Sequence, residues 1–131
     1  MEFEIQEGKG FVKEYDYYDN LKYEGEYLYG KWNGKGKEYS HQYHNFIENQ
    51  LIFEGEYLNG IRNGKGKEYY DGKLRYDGEY LNGIKNGKGK EFYDYDKIKF
   101  EGEYFNGKKW RGNEYNIDGK IDFEIKNGNK K

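Results

Sequence analysis

Phe53-Glu54-Gly55-Glu56-Tyr57-Leu58-Asn59-Gly60-Ile61-Arg62-Asn63-Gly64-Lys65-Gly66-Lys67-Glu68-Tyr69 is followed by Tyr76-Asp77-Gly78-Glu79-Tyr80-Leu81-Asn82-Gly83-Ile84-Lys85-Asn86-Gly87-Lys88-Gly89-Lys90-Glu91-Phe92. Tyr23 to Tyr39 gives an earlier copy, and Phe100 to Tyr115 a later, worn one. A fixed period near this length marks stacked supersecondary units, each too small to bury its own apolar face. The functional question is therefore what an extended, regular surface holds, more than where a single active site lies.

Each unit reads as a β-hairpin. Phe53, Gly55 and Tyr57 share one face of a strand, and Glu54, Glu56 and Leu58 the other. Asn59-Gly60 and Asn63-Gly64 supply residues that tolerate the positive φ of tight hairpin turns. Lys65 to Tyr70 gives a second strand, and Asp71-Gly72 turns the chain into the next unit. The periodicity is two throughout, with no sustained helical stripe, so the chain is expected to be all-β. Gly25, Gly55, Gly78 and Gly102 sit inside strands, where glycine is unfavourable unless something approaches closely. A neighbouring aromatic ring lying flat over the bare backbone is the expected reason, with tyrosine burying its ring and keeping its hydroxyl wet.

Unit starts fall at Phe3, Tyr23, Phe53, Tyr76 and Phe100, with a closing fragment from Phe123, so residues 1–131 read as one repeat domain. The first unit is degenerate, and it shares its Phe-Glu-Ile opening with the closing fragment. Atypical end units are what a repeat array needs where its terminal faces meet water. An insertion over Ser40 to Gln50 interrupts the spacing and reads as a surface loop.

Composition narrows the function classes. The 131 residues carry a net charge of -2 and a pI of about 5.8, which gives no bulk attraction to nucleic acid or anionic lipid. No cysteine is present, so disulfides and thiolate metal sites are excluded. No apolar run is long enough to cross a bilayer as a helix, and the acidic first residues lack a secretory pattern. A cytoplasmic location is expected, with membrane or cytoskeletal association left open. A mean hydropathy of -1.39 would suit disorder, but 17 Tyr and 8 Phe, together with glycines at fixed positions, oppose it.

The chain resembles the MORN repeat, the membrane occupation and recognition nexus motif. Its Tyr-x-Gly-x-aromatic core and trailing glycines are matched by Tyr23-Glu24-Gly25-Glu26-Tyr27 with Gly30, Gly34 and Gly36, by Phe53 to Gly66, and by Tyr76 to Gly89. The fourth unit matches from Phe100 through Gly107, then departs in Lys108-Lys109-Trp110-Arg111-Gly112-Asn113, with Asn113 taken as filling the second place of the Gly-x-Gly pair. The resemblance implies an elongated, twisted, single-layer antiparallel sheet of tandem β-hairpins, non-catalytic and acting as a scaffold. It also implies an aromatic-lined groove that docks a partner peptide or helix. Tyr23, Tyr27, Phe53, Tyr57, Tyr76, Tyr80, Phe100 and Tyr104 are the expected groove residues.

Constellations that carry chemistry are weak by comparison. The pairs Glu24/Glu26, Glu54/Glu56, Asp77/Glu79 and Glu101/Glu103 recur with the scaffold, which suits a solvated face salt-bridged across strands better than general acid-base work. His41 and His44 lie in the insertion without a third metal ligand, and Asp94 and Asp96 lack a calcium-loop spacing. Gly-Lys-Gly-Lys has neither the length nor the helix of a P-loop. No cofactor, metal or catalytic set is expected. The alternative reading is peripheral association with phosphoinositides through Lys65, Lys67, Lys88 and Lys90, or self-assembly into dimers or filaments through open sheet edges and a tyrosine-rich face.

Overall fold

The computed structural model describes residues 2–6, 8–42 and 47–130. These residues form one antiparallel sheet whose twelve strands follow each other in chain order. The strands are β1 (Glu2–Gln6), β2 (Lys9–Tyr15), β3 (Leu21–Leu28), β4 (Lys31–Gln42), β5 (Ile47–Leu58), β6 (Ile61–Tyr70), β7 (Lys73–Leu81), β8 (Ile84–Phe92), β9 (Ile98–Phe105), β10 (Lys108–Tyr115), β11 (Ile121–Lys126) and β12 (Asn129–Lys130). A three-residue 3-10 turn at Asp94–Asp96 is the one helical element among the described residues. Sequence-adjacent pairing follows from connections of two to five residues, which leave no length for a crossover.

Asn59-Gly60 makes the hairpin turn, with φ of 52° and 84°, and Asn82-Gly83 repeats it with 50° and 84°. Both central residues with positive φ match the right-handed twist of the flanking strands. Asn63-Gly64 does something else. Gly64 sits inside β6 at φ 105°, and the register shifts between the Gly55–Gly66 pair and the Tyr57–Arg62 pair. This bulge frees the Asn63 side chain, whose Oδ1 accepts from the Asn82 N–H of the next turn at 3.0 Å. Asn33 and Asn86 hold the turns at Asn59 and Asn106 in the same way. Backbone bonds from Gly60 to Trp32 and from Gly83 to Arg62 complete a stitched row of hairpin tips.

The core lies on one face and consists almost wholly of rings. Tyr23, Phe53, Tyr76 and Phe100 are fully buried, and Tyr57, Tyr80 and Tyr104 nearly so. Glycines from adjacent strands pair beneath them: Gly25 with Gly36, Gly55 with Gly66, Gly78 with Gly89. The Phe53 ring rests on its pair so closely that a Cβ on Gly66 would lie 2.5 Å from Phe53 Cζ. Successive rings meet edge to face at 5.3–5.6 Å from Tyr23 through Tyr57, Phe53, Tyr80, Tyr76 and Tyr104 to Phe100. Such contacts add about 0.5–1.5 kcal/mol each beyond area burial. At the ends, where no ring arrives, Val12 pairs with Gly25 and Ile125 with Gly112, and these aliphatics fill the space themselves.

Two sequence expectations change. The insertion is no loop over its whole length, because Ser40 pairs with Gln50 and Gln42 with Ile47, extending β4 and β5 into a longer hairpin. Tyr43, His44 and Phe46 lie outside the described residues. In the fourth unit Gly112 pairs with Gly102, so it is the second glycine of the Gly-x-Gly pair, and Asn113 pairs with Glu101. What that unit lost is the bulge glycine, and Trp110 stands in the bulge instead.

Gly66→Ala is expected to destabilise the chain by about 1–3 kcal/mol, since the added methyl would press on the packed Phe53 and Tyr80 rings. Chemical denaturation reads this directly. An unchanged midpoint would mean that the rings do not depend on a bare backbone.

Candidate interaction surface

The second residue of each return strand closes the aromatic face from above. Trp32 stacks on Tyr23 at 4.1 Å, the Arg62 guanidinium lies 3.9 Å from the Phe53 ring centre, Lys85 lies 4.3 Å over Tyr76, and Lys109 lies 5.0 Å over Phe100. Cations over ring faces are attracted by the ring quadrupole. Each is tied to a carboxylate: Arg62 to Glu38 at 2.7 Å, and Lys109 to Glu91 and Glu114 at 3.2 and 2.9 Å. The same carboxylates accept from the tyrosine hydroxyls, Tyr57 to Glu38 at 2.8 Å, Tyr104 to Glu91 at 2.7 Å, and Tyr80 to Glu68.

The expected groove therefore does not open. Of its eight residues, Tyr23, Phe53, Tyr57, Tyr76, Tyr80, Phe100 and Tyr104 are core, and Tyr27 is half-buried against it. A lid of cations and glutamates lies over these rings and leaves a partner little to touch. Sequence reasoning missed Glu38, Glu68 and Glu91, although their recurrence four residues after the bulge glycine was visible.

Burial, followed by the hydrogen bonds to Glu38, Glu68 and Glu91, pushes the hydroxyls of Tyr57, Tyr80 and Tyr104 well above the ordinary tyrosine range. Burial opposes the charge of Arg62, but Glu38 more than offsets it and raises the guanidinium further. Burial likewise opposes ionised Glu114, and Lys109 outweighs it, holding that carboxyl below its usual value.

The opposite face carries the residues that meet solvent. Following the register across the sheet, Lys13, Glu24, Lys37, Glu54, Lys67, Asp77, Lys90 and Glu101 form one row. A second row, nearer the hairpin tips, runs Lys35, Glu56, Lys65, Glu79, Lys88, Glu103. Sign alternates strand by strand in both. Between the rows lies a shallow trough floored by the backs of the glycine pairs. Glu56 and Glu79 have a structural task as well, accepting from the bulge N–H groups of Lys65 and Lys88 at 3.0 and 2.9 Å. The lysines singled out for lipid headgroups are all here, and each has acids beside it: Lys67 between Glu54 and Asp77, Lys90 between Asp77 and Glu101.

Beyond the second row, on the same face, the hairpin tips expose an apolar stripe. Leu58 pairs with Ile61 and Leu81 with Ile84, all about half exposed (49–52%), and Phe105 continues the line to Trp110, 5.5 Å away. Ile61 and Ile84 touch the next turns at Gly83 and Gly107, which makes the stripe continuous. Among the described residues no cluster of three metal-ligating side chains occurs, and Asp94 is engaged by Arg75 at 2.7 Å and Lys73 at 3.4 Å. Among the described residues no helix is long and apolar enough to cross a membrane.

Replacing Tyr57 and Tyr80 together by alanine is expected to abolish folding, since each truncation of a buried aromatic costs about 3–5 kcal/mol. Circular dichroism checks this, and a well-folded double variant would return both rings to the surface. The raised tyrosine values give a second expectation. Folded and unfolded chains hold the same phenolic protons below pH ~10, and above it the unfolded chain loses them first, so stability falls as pH rises. The share of tyrosinate absorbance that belongs to the buried rings should appear only together with loss of strand signal, and titration of all 17 tyrosines in a chain that stays folded would contradict the burial.

The family model described as MORN repeat matches residues 23–42, 53–73 and 76–97. No curated protein matches the chain. MORN repeats typically serve protein or membrane interactions and are a non-enzymatic repeat type. The fourth unit, with Trp110 in its bulge, falls outside the matched stretches. The three matches open on Tyr23, Phe53 and Tyr76, the rings that lie over the glycine pairs, and over these stretches the chain carries MORN repeats.

Proposed function

We propose that the chain is a non-catalytic interaction scaffold that docks a protein segment across its strands on the charged face. The observation that carries this reading is the division of labour between faces: rings, cations and glutamates seal one side, and the other presents the trough, the alternating charges and the apolar stripe. Neighbouring strands stand about 4.8 Å apart, so a segment lying along the trough meets opposite charges in strict alternation. Such a pattern sets register and partner choice more than affinity. Apolar anchoring falls to Leu58, Ile61, Leu81 and Ile84.

A lipid-headgroup role for Lys65, Lys67, Lys88 and Lys90 is weaker, because register neighbours of opposite sign cancel the field that a phosphoinositide would feel. Two assays separate the readings. Charge reversal at Glu54 and Asp77 is expected to remove proteins co-purifying with the chain from native lysate, whereas Tyr70→Gln with Tyr95→Gln, on the opposite margin, should leave them. Flotation with phosphatidylinositol bisphosphate vesicles should be negligible. Salt-sensitive flotation lost on replacing the four lysines by glutamate would overturn the protein reading.

A further inference from the structure

We infer that the occupant of the charged face is a second copy of this chain, packed face to face about a two-fold axis that runs parallel to the strands between β7 and β8. This rests on the reading of that face as the docking surface and names its partner.

The inference comes from the symmetry of the charge pattern. Acids lie on the odd-numbered strands and bases on the even-numbered ones over β3 to β9. An in-plane axis between two adjacent strands reverses the strand order and exchanges odd for even, so every acid meets a base. An axis lying on a strand would set like against like. Because the axis is parallel to the strands, hairpin tips stay over hairpin tips, and the apolar stripe covers itself.

The gap between β7 and β8 is the centre of that stripe. About it, Leu81 meets Ile84 of the second copy, Ile61 meets Phe105, and Leu58 meets the strand that carries Trp110. The charges agree with the same axis. Asp77 and Glu79 face Lys90 and Lys88, Lys67 and Lys65 face Glu101 and Glu103, and Glu56 faces Arg111. The match ends at the outer strands, where Lys35 meets Lys126. Each surface patch thus contacts itself, as an isologous interface requires. The stripe supplies the dry contact. The charge rows lie beside it across the face, where acid meeting base fixes register.

The test uses the full chain. Sedimentation equilibrium should show a reversible monomer–dimer system, and Leu81→Gln with Ile84→Gln should weaken it on the order of 100-fold, because each lost contact counts twice. Circular dichroism confirms that this variant folds, and if it does not, Phe105→Gln provides the same reading from the stripe's other end. Zero-length carbodiimide coupling followed by mass spectrometry should join Lys67 to Glu101 and Lys65 to Glu103. Within one chain these partners are three strands, about 14 Å, apart, so such links form only between copies. A chain that is monomeric at every concentration, a dimer that survives both stripe variants, or coupling confined to neighbours within one sheet overturns the inference. A monomer that still captures another protein through Glu54 and Asp77, or floats with anionic vesicles, assigns the face to that occupant instead. The first of these outcomes leaves the docking reading standing, so the two failures are distinguishable.

Discussion

A ring lying over two glycines on neighbouring strands is the contact on which everything else here depends. A single-layer sheet has no second layer to bury against, and an ordinary strand with a side chain at every position would expose its whole apolar face. Removing the side chains at Gly55 and Gly66 lets the Phe53 ring drop to the backbone, within reach of Tyr80. The ring then serves as the second layer. It needs both glycines, because a Cβ on either would meet the ring or the facing backbone. That requirement fixes the period of the sequence, and it explains why the terminal units break the rule. Val12 and Ile125 occupy places where a ring no longer comes, and a branched aliphatic then fills the space better than glycine.

The same contact dictates how the two faces differ. A tyrosine buried by so thin a layer keeps its hydroxyl near the surface, and that hydroxyl needs an acceptor. Glu38, Glu68 and Glu91 provide it, and a carboxylate half-buried beside aromatic rings needs a cation in turn. Arg62, Lys85 and Lys109 meet both needs at once, lying over one ring and bonding the acid beside the next. The aromatic face is thereby closed by its own requirements. The opposite face is left to solvent, and its structural contacts are those of Glu24 with Tyr39 and of Glu26, Glu56 and Glu79 with the bulge N–H groups.

Much of this was legible in the residues. The repeat, the hairpins, the Asn59-Gly60 turn and the reason for the strand glycines all follow from spacing and from what glycine permits. The assignment of side chains to faces was recoverable too. Taking either Asn59-Gly60 or Asn63-Gly64 as a two-residue turn places Lys65 with Glu56, and only an odd-length loop would have placed it with Tyr57. What could not be read was closure of the aromatic groove. Arg62 lies over a ring of its own hairpin, but its carboxylate Glu38 comes from the preceding unit, so the lid exists only when units stack. Asn63 was misread for a related reason: it looks like a turn residue locally, and its partner is the backbone of Asn82 one unit later. The insertion reads as a loop because it interrupts the repeat spacing, whereas an existing hairpin can be lengthened at the cost of little besides strand pairing.

The apolar stripe is the part of the molecule that the scaffold does not explain. Aliphatic residues are scarce in this chain, and among the described residues the core takes only Val12 and Ile125. Leu58, Ile61, Leu81 and Ile84 stand half in water, at tips whose geometry is already fixed by Asn-Gly turns and backbone bonds between units. Lysine occupies the Ile61 position in two of the units, at Lys31 and Lys108, so the hairpin itself tolerates a charge there. A sheet that alternates charge over β3 to β9 on that face resists stacking on copies in the wrong register, since a shift by one strand sets acid against acid. An apolar strip along one margin of such a face adds attraction without relaxing that register, which is the combination an ordered assembly requires and a merely soluble scaffold does not.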